Sequence, residues 1–111
     1  MIGLNQFEEN YRLDTEDGLN AFFDDYSKLA ELRFDTTDFS LCDFLMDFET
    51  AADKVLTNRQ RQIVDLCFLK DQRQTDVAKA LGIAQQTVQE AVRDSIKKLV
   101  AYHVSEKGRG E

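Results

Sequence analysis

Residues 81–99, LGIAQQTVQEAVRDSIKKL, hold a concentration of side chains that could read a duplex. Gln85, Gln86 and Gln89 lie within five positions, followed by Glu90, Arg93, Lys97 and Lys98. A glutamine amide can pair in bidentate fashion with adenine N6 and N7, and a glutamate can accept from cytosine N4. Arginine and lysine meet phosphates, which supply affinity rather than sequence choice. Arg73 and Thr75, just upstream, join them as candidate DNA contacts. The plainer alternative is that glutamines are good helix formers on a solvated face. Glu90 weighs toward that alternative, because it repels phosphates unless it sits over a base edge.

Other chemistry finds less support. His103 is the only histidine, and it falls near the end of a helical pattern, where a positive charge suits the C-terminal dipole. Cys42 and Cys67 lack zinc spacing and fall among apolar helical positions, so both are expected to be buried reduced thiols. Asp24–Asp25 and Asp43–Asp47 have no glycine-containing ligand loop around them. There is no glycine-rich phosphate loop and no nucleophile–base pair. The expectation is a protein that is not an enzyme and needs no cofactor or metal.

The reading residues need a scaffold that turns them outward. Gly82 supplies the positive φ of a tight turn between two helices. Ala78 is small where the second helix comes closest, and Val77, Leu81, Ile83, Val88 and Ala91 fill the wedge. This is the pattern of a helix-turn-helix over residues 74–93. On a helical wheel, Gln86, Glu90, Arg93 and Lys97 lie opposite Val88, Val92 and Leu99, with Gln85 and Gln89 at the flanks. The core face of this last helix is Val88, Ala91, Val92, Ile96 and Leu99, and the helix is expected to run from about Ala84 to Tyr102.

The rest of the chain reads as further helices. Residues 1–14 form a polar lead expected to be mobile. Thr15 or Asp17 can cap a helix whose face is Phe22, Tyr26, Leu29 and Leu32. The stretch FDTTDFS, 34–40, favours a turn. From Asp38 to Val55 the stripe Leu41, Phe44, Phe48, Ala51 and Val55 is widened by Leu45 and Ala52. That stripe either packs on its own domain or serves a partner or a second copy. Thr57 with Gln60 fits a capping box. Thr75 can cap the short helix that Gly82 ends.

Charge divides the chain. Residues 1–56 contain 14 acidic and 4 basic side chains, and residues 57–111 contain 7 acidic and 10 basic. A nucleic-acid surface therefore belongs in the second part. The expected organisation is an acidic, Phe-rich helical segment over 1–55, a helix-turn-helix domain over 56–102 and a flexible tail over 103–111. No apolar run is long enough to span a membrane, and MIGLNQFEEN has no signal-peptide pattern. A cytoplasmic location is expected.

Residues 56–99 resemble the fourth conserved region of bacterial sigma factors. The shared positions are Leu56, Thr57, Arg59, Arg61, Leu81, Gly82, Ile83, Lys97, Lys98 and Leu99. The chain is also similar to the sigma-like regulators of phages and prophages of Gram-positive bacteria, whose acidic helices lead straight into this motif. The resemblance implies a helix-turn-helix that reads double-stranded promoter DNA and can rest on RNA polymerase. Carried over by position, it gives Gln85, Gln86, Gln89, Glu90 and Arg93 as base and phosphate contacts. Two departures stand out. Ala84 replaces the usual Ser or Thr cap, and Gln85, Thr87 and Gln89 replace family arginines. Residues 1–55 contain no segment for core polymerase or for a -10 element.

The resulting expectation is all-α: a sigma region 4-like helix-turn-helix preceded by an amphipathic acidic segment. The leading function is a sequence-specific DNA-binding transcription regulator of phage origin, with RNA polymerase and a second copy of the chain as further partners. The alternative is a sigma-like protein-interaction module that acts on RNA polymerase or another regulator without strong DNA binding. A phage small-terminase role ranks lower, because those proteins usually place the motif at the N-terminus.

Overall fold

The computed structural model describes residues 6–35 and 39–109, with side chains for 7–35 and 39–106. Among the described residues every regular element is helical. The chain is all-α, with the helix-turn-helix in its C-terminal part. The helices are α1 (Gln6–Asn10), α2 (Glu16–Asp35), α3 (Phe39–Val55), α4 (Asn58–Val64), α5 (Gln74–Leu81) and α6 (Gln85–Arg109). A π-helical turn, Asp65–Leu69, extends α4.

Part of the expected polar lead is ordered packing. Phe7 of α1 stacks on Phe44, with ring centroids 6.0 Å apart. The Tyr11 hydroxyl donates to Asp25 at 2.7 Å, and Leu13 is buried. Among the described residues of this stretch, Phe7, Tyr11 and Leu13 all join the same core, a spacing too short to show as a long periodic run. Residues 1–5 lie outside the described part.

Thr15 caps α2, its hydroxyl oxygen accepting from the Gly18 N–H at 3.0 Å. Gly18 is required for space: a Cβ there would run into the backbone of Arg12. Phe22, Tyr26 and Leu29 are buried as expected, joined by Leu19 and Phe23. Leu32 is not; it is 49% exposed. Burial fades toward the end of α2, where the helix outlasts the elements covering it. There Arg33 bridges to Glu49 of α3 at 3.3 Å. The middle of the expected 34–40 turn, residues 36–38, lies outside the described residues. In α3, Leu41, Phe44, Leu45, Phe48, Ala51 and Ala52 are buried, and Val55 is half-buried. Cys42 is also only half-buried, because it lies off that stripe; Cys67 is buried, and both thiols are free.

Thr57 and Gln60 form the capping box of α4, with N–H to oxygen distances of 3.1 Å in both directions. The helix then widens. Lys70 N–H reaches back five residues to the Asp65 carbonyl at 2.9 Å. The extra residue in the turn lets Cys67 face one core while Phe68 packs against both. Asp71 reverses the chain at φ 57, a conformation aspartate tolerates better than most side chains.

Two cores result. The larger holds Phe22, Phe44 and Phe48 from the acidic helices, together with Leu56, Val64 and Leu99 from beyond residue 55. The smaller holds Ile63, Cys67, Val77, Ala78, Val88 and Val92. Helix α6 serves both. At 1.5 Å per residue it is about 37 Å long, and it continues through 103–109, where a tail was expected. The reason is a partner surface: His103 and Glu106 line a cavity with Tyr11, Leu13 and Phe44. The last two residues are outside the described part.

Candidate nucleic-acid interface

The turn between α5 and α6 is built by Gly82, at φ 70 and ψ 34. Ile83 N–H donates to the Ala78 carbonyl at 3.0 Å, and Gly82 N–H to the Lys79 carbonyl at 3.3 Å. This pair of bonds closes α5 and takes up carbonyls that would otherwise lack donors. Nothing lies within 4 Å of where a Cβ would stand on Gly82, so the glycine is needed for its backbone angle and not for space. Val77, Ala78 and Val88 are buried beneath the turn, with Leu81 and Ile83 half-buried at its edge.

Thr75 does not cap α5. The helix starts two residues earlier, at Gln74, with extended Arg73 in the cap position and no side-chain cap bond. The reversal at Asp71 brings the chain into helical register early and leaves Thr75 in the first turn, exposed. Arg73 is exposed and pairs with Asp76 at 3.4 Å.

Gln85, Gln86, Gln89, Glu90, Arg93 and Lys97 are all exposed along α6. Ala84 ends the turn without a side-chain oxygen; its carbonyl accepts from Thr87 at 3.0 Å and Val88 at 3.3 Å. The first-turn N–H groups of α6 therefore face outward without a side-chain cap. The line of amides passes into Arg93 and Lys97, but Glu90 and Asp94 stand among them. The exposed face is thus close to electrically balanced.

Lys98 stands apart from the other candidates. It is half-buried, and its Nζ donates to Gln60 Oε1 at 2.9 Å, the same oxygen that accepts from the Thr57 N–H. It acts as a strut from α6 to the start of α4. Arg61 is engaged in a similar way, donating to Asp53 at 2.5 Å and to Asp65 and the Glu49 carbonyl at 3.3 and 3.4 Å. Burial pulls the Arg61 pKa down, but Asp65 and Asp53 outweigh it and hold the guanidinium above its usual value. Arg59, two residues before Arg61, is exposed.

Sequence reasoning missed Ser95, which is fully buried on the core face of α6. Its hydroxyl donates to the Ala91 carbonyl at 2.7 Å, so burial leaves no orphaned donor. A serine in register with Val88 and Leu99 was the available signal. No local pattern could have given the Lys98–Gln60 contact, which spans 38 positions.

Comparison with known proteins agrees with this geometry. Residues 54–100 match the family model described as Sigma-70, region 4. No curated protein and no solved structure matches the chain. The matched stretch begins at the end of α3 and takes in α4, α5 and most of α6, and it points to a DNA-binding helix-turn-helix domain of the regulator type.

Proposed function

We propose that the chain is a sequence-specific DNA-binding transcription regulator of phage origin, acting by binding and not by catalysis, in the cytoplasm. The start of α6 enters the major groove, with Gln85, Gln86 and Gln89 over base edges and Arg93 and Lys97 toward phosphates. The observation that carries this reading is the outward row of amides directly after the Gly82 turn. The match of residues 54–100 to Sigma-70 region 4 supports it, and the acidic helices that lead into the motif are the support for phage origin.

The mixed charge of that face favours a second reading. With Glu90 and Asp94 beside Arg93 and Lys97, phosphate attraction is weak. Under this reading the domain docks on RNA polymerase or another regulator without strong DNA binding, whereas under the first a second copy adds the DNA contact that one head lacks. Selection of bound fragments from a random duplex pool separates the two. An enriched short sequence supports DNA reading. A pool that stays random at about 50 mM salt, together with direct binding of purified RNA polymerase, supports docking.

A further inference from the structure

The outer face of α3 carries Phe39, Cys42 and Met46, spaced three and four apart, so they form one line. Phe39 is 78% exposed and Met46 59%. Large apolar side chains grouped on a monomer surface mark interaction sites more often than chance. This face is remote in sequence from the reading head, on helices the proposed DNA contact leaves unused.

Asp43 and Asp47 flank this line on α3 and are exposed, and Glu31 and Asp35 are exposed on α2. The one cation in the sequence between 31 and 47 is Arg33, and its guanidinium is engaged by Glu49 at 3.3 Å. Burial, and then the neighbouring Asp43, raise the Asp47 carboxyl above its usual value, with His103 opposing them. Arg12 and His103 line a cavity with Asp47, but Arg12 is paired with Asp14 at 3.2 Å, and Asp43 on the same helix is exposed.

We infer that this face binds a basic amphipathic segment of a partner protein, whose apolar side covers Phe39 and Met46 and whose Lys or Arg side chains meet Asp43 and Asp47. A second copy of the chain is a poor occupant. Two-fold pairing through this face would set the same carboxylates against one another, and like charges across an interface are costly. A basic helix gains both terms, apolar burial and opposite charge.

The test uses the full chain and a synthetic amphipathic helical peptide of Leu and Lys, with a control carrying Glu for Lys. Backbone amide shifts report the site. The Lys peptide moves amides around 39–47 and spares 85–97, and the Glu peptide does not bind. The double variant Phe39→Ser/Met46→Ser weakens binding about ten-fold or more, and Asp43→Asn/Asp47→Asn weakens it several-fold. All four side chains are exposed, and unchanged helical melting checks that the variants fold. Three results overturn the inference: no binding of the Lys peptide, binding that Phe39→Ser/Met46→Ser leaves unchanged, or shifts scattered over other acidic surfaces. A dimer in sedimentation that dissociates in Phe39→Ser/Met46→Ser also overturns it, by making a second copy the occupant.

Discussion

The rings of Phe23 and Phe68 lie stacked, with centroids 4.3 Å apart and planes within 4° of parallel. Phe23 belongs to α2, and Phe68 to the π-helical turn after α4. The contact joins the acidic helices to the helix-turn-helix, and Leu99 makes a second join. Phe23→Ala should therefore cost about 3–4 kcal/mol and destabilise both parts together. Denaturant unfolding followed by circular dichroism and by the fluorescence of Tyr11, Tyr26 and Tyr102 together should give coincident transitions. Separate transitions would mean that the two cores fold independently.

Two glycines should fail for different reasons. Gly18→Ala pushes a methyl into the Arg12 backbone and should cost about 1–3 kcal/mol, as overpacking does. Gly82→Ala meets open space and carries only the strain of positive φ, about 1 kcal/mol. At the next turn Ala84→Ser restores a helix cap and should add about 0.5–1 kcal/mol. Thermal melts of the three variants check the order.

Acid should weaken the fold through His103. Burial lowers its pKa below 6.5, while Asp47, Asp14 and Glu106 pull the other way and only partly offset it. The unfolded chain then binds a proton at a higher pH than the native one. Stability from the neutral ring is complete above about pH 6.5 and is lost as pH falls through the window between that value and the folded pKa. His103→Gln should flatten this part of the stability profile, measured as denaturation midpoints from pH 8 to pH 5. A His103→Gln profile parallel to the parent's would assign the slope to other groups.

Lys97 and Lys98 are neighbours with different environments. Lys97 is exposed, whereas Lys98 is held by Gln60. Lys97→Ala should lower the salt slope of duplex binding by about 1. Lys98→Ala should leave the slope unchanged and lower the melting temperature instead. Binding of a selected duplex across a salt series, paired with a melt of each variant, measures both.

Much of this arrangement was legible in the sequence because it is local. Thr57 and Gln60 announce a capping box, Gly82 a left-handed stop, and Leu41 through Ala52 a helix with one wet side. Each depends on residues within a turn or two of one another. The π turn at Asp65–Leu69 was not legible, because its residues suit an ordinary helix and only the packing of Cys67 and Phe68 selects the wider turn. The start of α5 was misjudged for a related reason: Thr75 is a good cap by type, but the reversal at Asp71 sets the register. The length of α6 and the ordering of Phe7 and Tyr11 depend on each other across the whole chain, and the burial of Leu32 was overestimated because periodicity does not show where a covering helix ends. In the candidate interface, exposure of the amides followed from the helical wheel, whereas the engagement of Lys98 and Arg61 came only from tertiary contacts.

The central claim is that the amides after the Gly82 turn read bases. It is tested most directly by comparing duplex affinities of the parent chain with those of Gln86→Ala and Gln89→Ala, on a selected duplex and on a scrambled one of equal length. The account predicts a loss of about 1–3 kcal/mol on the selected duplex for at least one variant, with little change on the scrambled one. Equal affinity of parent and variants for both duplexes would contradict it.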